Sequence, residues 1–158
     1  MIRPYDSATD ALWPLKRAFE TGLGESGGEA KAEAYDAKLT DDYRERWLDW
    51  VARCASGDDG CVQVAERDGD LVGYAFLLPE SLCFVWDAAV LNEIYVEPAF
   101  RGTGVADDLM DAVLAVAGGQ DLPLDRIVLD VDRENERAQA FYERYGFEHW
   151  GELVARDC

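Results

Sequence analysis

Between Val90 and Ala117 the chain switches its hydrophobic period from two to 3.6. Val90-Leu-Asn-Glu-Ile-Tyr-Val96 is an apolar β run closed by Pro98. Arg101-Gly-Thr-Gly-Val-Ala106 then turns, and Val105, Leu109, Ala112, Val113 and Val116 fall on one helical face. Gly118-Gly119 ends the helix. A strand feeding an amphipathic helix through a glycine turn demands a layered α/β fold. The turn also directs several free backbone N–H groups at one spot, backed by the positive helix end. That is a site for an anion such as a phosphate. Gly102 and Gly104 let the backbone approach closely, and Arg101 adds charge. Taken alone, Gly-x-Gly also fits a plain strand-to-helix connection. No Gly-Lys-Ser/Thr follows, so it is no Walker loop, and the third glycine of a dinucleotide-binding turn is missing.

Other elements follow from the same two periods. Met1 to Ser7 reads as a strand and Asp10 to Glu20 as a helix, with Asp10 as its cap. Thr21 to Gly28 is a Gly-rich interruption. Tyr43, Trp47, Trp50, Val51 and Cys54 share one face of a helix from about Asp41 to Cys54. Cys61 to Glu66 and Leu71 to Leu78 flank Asp68-Gly69, a two-residue hairpin signal. Arg126 to Val131 reads as a strand, Asn135 to Tyr145 as a helix stopped by Gly146, and Phe147 to Ala155 as a last strand. The predicted fold is one domain of order β-α-α-β-β-β-α-β-α-β, an α/β fold with a mixed, mostly antiparallel sheet and helices on both faces.

Composition excludes several partners. Thirty-three acids against fifteen bases leave a formal charge of −18. Such a surface repels nucleic acid and anionic lipid. No run of eighteen apolar residues predicts a membrane span, and Met1 to Asp6 lacks a secretory pattern. Cys54, Cys61, Cys83 and Cys158 form no Cys-x-x-Cys pair, and His149 stands alone, so no metal is expected. Reduced thiols point to the cytoplasm. The acidity fits adaptation to a salt-rich, halophilic cytoplasm, or a cleft for polycations; the dispersed acids and only three lysines, Lys16, Lys31 and Lys38, favour the first.

Arg101-Gly-Thr-Gly-Val-Ala106 resembles the Gln/Arg-x-x-Gly-x-Gly/Ala motif of the GCN5-related N-acetyltransferase (GNAT) superfamily. Glu93-Ile-Tyr-Val-Glu-Pro98 resembles its fourth strand, and Asn135-x-x-Ala138-x-x-Phe141-Tyr142-x-x-x-Gly146-Phe147 its second motif. The resemblance covers Val90 to Phe147 and implies acetyl-CoA as co-substrate with an amine acceptor. It implies that backbone groups of Arg101, Gly102, Thr103, Gly104, Val105 and Ala106 hold the pyrophosphate. Ile94, Tyr95 and Val96 would lie along the pantetheine arm, which Asn135 would reach unless it serves as a helix cap. Tyr142 becomes the candidate acid for the departing thiolate, its alternative being a core aromatic. Glu93, a lone acid interrupting an otherwise apolar strand, is the candidate base, with Asp130, Asp87 or a water chain as alternatives. The Gly22 to Lys38 and Leu82 to Trp86 regions are expected to line the acceptor side. A noncatalytic acyl-CoA sensor on the same fold is the competing function, and pairing of the final strand with a second copy would make a homodimer.

Overall fold

The computed structural model describes residues 1–158, the side chain of Ser26 excepted. Strand β1 is Ile2–Pro4, followed by three helices: α1 (Trp13–Ser26), α2 (Glu29–Lys38) and α3 (Asp41–Gly57). Then come β2 (Val62–Arg67), β3 (Asp70–Leu77), β4 (Ala89–Val96), α4 (Val105–Gly118), β5 (Ile127–Val128) and α5 (Glu136–Arg144). The five strands lie side by side in chain order; β4 and β5 run parallel and every other pair antiparallel. The β2–β3 hairpin turns on Asp68 and Gly69, with φ of 52° and 86°. Left-handed backbone at both positions matches the primed turn that the twist of the strands prefers.

Alternation along β2 and β3 separates two cores. Val62, Val64, Tyr74 and Phe76 face α1 and α3, where they meet Leu12, Leu15, Trp47 and Val51. Ala65, Ala75 and Leu77 face α4, meeting Leu109, Met110 and Val113. Each of these large side chains contributes about 1.5–3 kcal/mol by leaving water. Helices thus cover both faces of the sheet, as the period analysis requires.

Several details differ from the sequence reading, and α2 is a third helix before β2 that the expected order does not contain. Asp10 does not cap α1; its carboxylate takes two bonds from the Arg3 guanidinium, at 2.7 and 2.8 Å, and one from the Asp6 N–H. Helix α1 starts later, with proline in its first turn, where no N–H is needed. It then runs on through Gly22 and Gly24. A Cβ on Gly24 would lie 2.9 Å from the Ala32 Cα, so this glycine lets α1 and α2 meet backbone to backbone. Finally, Phe147 to Ala155 forms no strand; Trp150, Leu153 and Val154 are exposed.

Candidate active site

One irregularity organises the site. Phe76 pairs with Glu93 but Leu77 pairs with Leu91, so Asn92 is an extra residue in β4. A bulge of this kind reverses the alternation beyond it and bends the strand. Leu91 therefore joins the α4-side core, while Glu93, two residues on, meets Lys16 of α1 on the opposite face. The bulge also falls where β4 leaves β5. Their ladder stops at Val90–Val128, and the rest of β4 has no partner on that side. Ile94, Tyr95 and Val96 stay paired to Ala75, Tyr74 and Gly73 of β3. The result is an opening between parallel strands with one unpaired β4 edge.

The glycine turn lies at the end of that edge. Gly102 and Gly104 have φ of 76° and 90°, and Gly104 is the left-handed N-cap of α4. No side chain caps this helix. Its first N–H groups therefore stay available to an anion. Val105 is buried, anchoring the turn to the core, while Ala106 is half-buried. The Thr103 hydroxyl donates to the Phe100 carbonyl. Arg101 Nε donates to the Val96 carbonyl at 2.9 Å, with its guanidinium 5.6 Å from the Tyr95 ring centre.

Arg137, on α5, joins this group and was missed from the sequence. Burial, and then the Arg101 charge nearby, hold its pKa below the usual arginine value. Among the described residues, neither Arg101 nor Arg137 has a carboxylate partner. In a chain of charge −18, two arginines without a carboxylate partner beside an uncapped helix start have the chemistry to hold an anion such as phosphate. Arg137 lies inside the second motif, so its position was legible there.

Tyr142 lies on the same side, half-buried against the α4 core and stacked edge-on to Phe147. Burial pushes its phenol up to about 12, with the Arg137 charge pulling the other way. Its ring is thus a core aromatic, yet its hydroxyl makes no hydrogen bond among the described residues. Tyr145 differs, donating to Asp107 at 2.6 Å and so tying α5 to α4. Asn135 caps α5, accepting from the Ala138 N–H at 3.2 Å through its oxygen; that bond leaves its side-chain NH₂ uncommitted.

On the other face Glu93 is not the lone acid its strand suggests. It is 7% exposed, and Oε1 accepts from the Tyr74 hydroxyl at 2.7 Å. Oε2 accepts from Lys16 at 2.7 Å and Asn92 at 3.3 Å. Lys16 is also paired with Glu20, whose second oxygen takes Lys38 at 2.6 Å. Burial opposes the charge on Lys16, but Glu93 and Glu20 outweigh it and raise the ammonium pKa. Burial likewise opposes the charge on Glu20, and Lys16 and Lys38 together outweigh it, lowering the carboxyl. Leu12, the N-cap of α1, and Lys16 and Glu20 within it recur every four residues, a spacing that puts the pair on the buried face of the helix. Asp130 and Asp87, the alternative bases, are both exposed.

Two cavities flank these elements. One of about 620 Å³ is lined by Lys31 of α2, Asp130, Asp132 and His149, with Lys31 paired to Asp132 across it. The other, about 690 Å³, sits at the far end of α4 and is lined by Cys83, Phe84 and Gln120. A helix of 14 residues spans about 21 Å, so this second cavity is remote from the glycine turn. Cys83 and Phe84 of the Leu82 to Trp86 stretch line it, whereas the Gly22 to Lys38 region reaches the Glu93 cluster through Lys38 on Glu20. No group of His, Cys, Asp and Glu among the described residues is arranged to hold a metal ion.

The model of the Acetyltransferase (GNAT) family matches residues 26–147. The chain belongs to the GNAT family. An uncharacterized N-acetyltransferase, Mb2688, of Mycobacterium bovis is 40% identical over 87 residues, 54% of this chain and 51% of that protein. The chain thus spans about half the length of the curated relatives it matches first. A 5-NmdU N-acetyltransferase of Pseudomonas phage PaMx11 is 28% identical over 84% of this GNAT chain and 87% of its own length. Among solved structures, the PaiA N-acetyltransferase of Thermoplasma acidophilum in complex with coenzyme A superposes with a TM-score of 0.73 at 19% identity. That match covers 94% of this chain and 89% of the other. The aminoglycoside N-acetyltransferase AAC(6')-Iy in complex with CoA gives 0.70 at 20% identity, over 100% and 93%. These two likenesses establish the fold. No helix among the described residues is long and apolar enough to cross a membrane.

Proposed function

We propose that this GNAT chain transfers the acetyl group of acetyl-CoA to a primary amine. The observation that carries the reading is the uncapped, left-handed start of α4 beside Arg101 and Arg137, neither of which has a carboxylate partner, opening onto the free edge of β4. Backbone groups of Arg101 to Ala106 would hold the pyrophosphate, with Arg101 and Arg137 closing on it. The β4 edge at Ile94 and Val96 would take the pantetheine arm as an added strand, as peptide edges do. For the Val96 carbonyl, this requires Arg101 Nε to let go. The Asn135 side-chain NH₂ can donate to the arm while its oxygen caps α5.

Bound acetyl-CoA supplies a thioester, an electrophile with a thiolate leaving group. Tyr142 keeps its proton throughout the neutral range, as a donor to that leaving sulfur must. Glu93 serves the other proton. An alkylammonium of pKa near ~10.4 must lose one before its nitrogen can attack. Of roughly four lone-pair positions on a carboxylate, Tyr74, Lys16 and Asn92 engage three, leaving one on Oε1. Attack is direct, so no cysteine is required; Cys54, Cys61 and Cys83 are buried.

Calorimetry with acetyl-CoA, then thiol release against a panel of primary amines, tests the reading. Binding with amine-dependent release is expected. Binding without release from any amine would leave the sensor reading standing, and absence of binding would overturn the assignment of the turn. Glu93→Gln should slow turnover most below the acceptor's pKa. An unaltered pH–rate profile removes Glu93 from the proton path.

A further inference from the structure

All three lysines of the chain lie on α1 and α2, and each sits on a carboxylate, whereas every other base is arginine. Two of them share one binding arrangement. Lys16 Nζ lies 4.8 Å from the Trp47 ring centre, 5.5 Å from Phe19 and 5.9 Å from Tyr43, between Glu20 and Glu93. Lys38 Nζ lies 4.4 Å from Tyr35 and 5.2 Å from Tyr43, on the other oxygen of Glu20. Carboxylate plus aromatic faces is the chemistry that recognises an ammonium ion. Glu20 and Tyr43 thus serve two such positions at once, an inner and an outer.

The two positions differ in permanence. The Lys16 side chain is 2% exposed and held from within α1. The Lys38 side chain is 32% exposed, is the last residue of α2, and comes from a helix that buries no residue. Glu20 itself is 5% exposed, so its charge cannot stand unpaired without a large penalty. Two carboxylates, Glu20 and Glu93, balance two ammonium groups. If Lys38 swings out, one negative charge is left, which one incoming ammonium neutralises.

We propose that Glu20, with the Tyr43 ring, is an ammonium subsite for a small aliphatic diamine or polyamine acceptor, and that Lys38 fills it as an intrachain stand-in. The proposal rests on the acetyltransferase reading above and names its substrate class. The nitrogen that attacks must be neutral, so the ammonium on Glu20 is the acceptor's second one. Glu93 lies one salt bridge away through Lys16, on the side where the reacting amine must shed its proton. The subsite therefore selects dications over monoamines and holds the far end of the acceptor, while α2 closes over it.

Steady-state turnover of 1,4-diaminobutane and 1-aminobutane by the wild type, Lys38→Met and Glu20→Gln tests this, with acetyl-CoA affinity measured in each by calorimetry. The diamine should be preferred in kcat/KM by the wild type. Lys38→Met should raise that preference about tenfold, equivalent to ~1.4 kcal/mol, by removing the internal competitor. Glu20→Gln should abolish it. A preference unchanged or lowered in Lys38→Met overturns the proposal, even if Glu20→Gln fails to fold. Intact acetyl-CoA turnover with equal use of both amines sinks the subsite alone. Absent acetyl-CoA binding sinks the acetyltransferase reading instead. Should neither amine be turned over, titration of the CoA-loaded protein with 1,4-diaminobutane decides. Tighter binding to Lys38→Met supports the subsite, and equal or no binding refutes it.

Discussion

Lys16→Met gives the sharpest test of what holds the Glu93 side of the sheet together. Methionine keeps most of the stem but removes the one cation shared by Glu20 and Glu93, whose side chains are 5% and 7% exposed. Removing one partner of a buried pair typically costs about 3–5 kcal/mol, because the other charge stays buried without compensation. A domain of this size loses roughly 2–4 °C of Tm per kcal/mol, so the expected drop is about 6–20 °C at pH 7. The sign with pH is fixed by the pair itself. Glu20 has its carboxyl lowered below 4.5 in the fold, so its contribution is complete above that value and lost as pH falls through the folded pKa. The gap between wild type and mutant should therefore narrow on acidification. At the alkaline end, Lys16 is raised above 10.5, so its contribution fades only above that. Lys16→Met/Glu93→Gln should melt above the single mutant, because Lys38 still serves Glu20. Circular-dichroism melts at pH 7 and pH 4 read all of this. A single mutant melting within about 2 °C of the wild type, the behaviour of a neutral surface change, would refute the buried-triad reasoning.

Tyr142→Phe should cut kcat by roughly 10²–10⁴-fold while leaving Tm and CoA affinity near wild type, because no hydrogen bond to the hydroxyl is lost. A normal kcat would end its role as acid. Gly104→Val should abolish CoA binding, measured by calorimetry, at a fold cost of about 1–3 kcal/mol from left-handed backbone strain. A Cβ there meets nothing within 4 Å, so retained affinity would mean that the turn holds no pyrophosphate. The dispersed acids predict a Tm that climbs from dilute to molar KCl, and flat melts would instead favour a polycation cleft as the reason for the charge.

What the sequence disclosed was whatever depends on local period or turn chemistry. Asp68-Gly69, the run of Val105 to Val116 and the paired glycines at 102 and 104 all behave as their residue types dictate. Gly24 misled because glycine breaks an isolated helix but also permits a close helix crossing, and only the partner Ala32 decides between them. Helix α2, Glu-Ala-Lys-Ala-Glu-Ala-Tyr-Asp-Ala-Lys, has good helix formers but buries no residue, so no apolar stripe announces it. Lys16, the cation that pairs with Glu93, lies 77 positions away, beyond any spacing rule. The bulge at Asn92, which decides the face Glu93 occupies, has no local marker in an otherwise regular β run.

The confinement of lysine to α1 and α2 also bears on chemical self-protection. If the chain handles an activated acetyl group, as proposed above, it is itself a potential target, since an unprotonated lysine amine attacks a thioester. Arginine cannot do so, because its guanidinium does not lose its proton in the working range. Of the three lysines, Lys16 is buried, and Lys16 and Lys31 both have raised pKa values from the carboxylates they face. Lys38 is engaged by Glu20. With all three lysines held on carboxylates, the chain thus offers an acetyl donor few free side-chain amines, and modification on long exposure to acetyl-CoA should be slow and fall first on Lys38, the one that can leave its carboxylate.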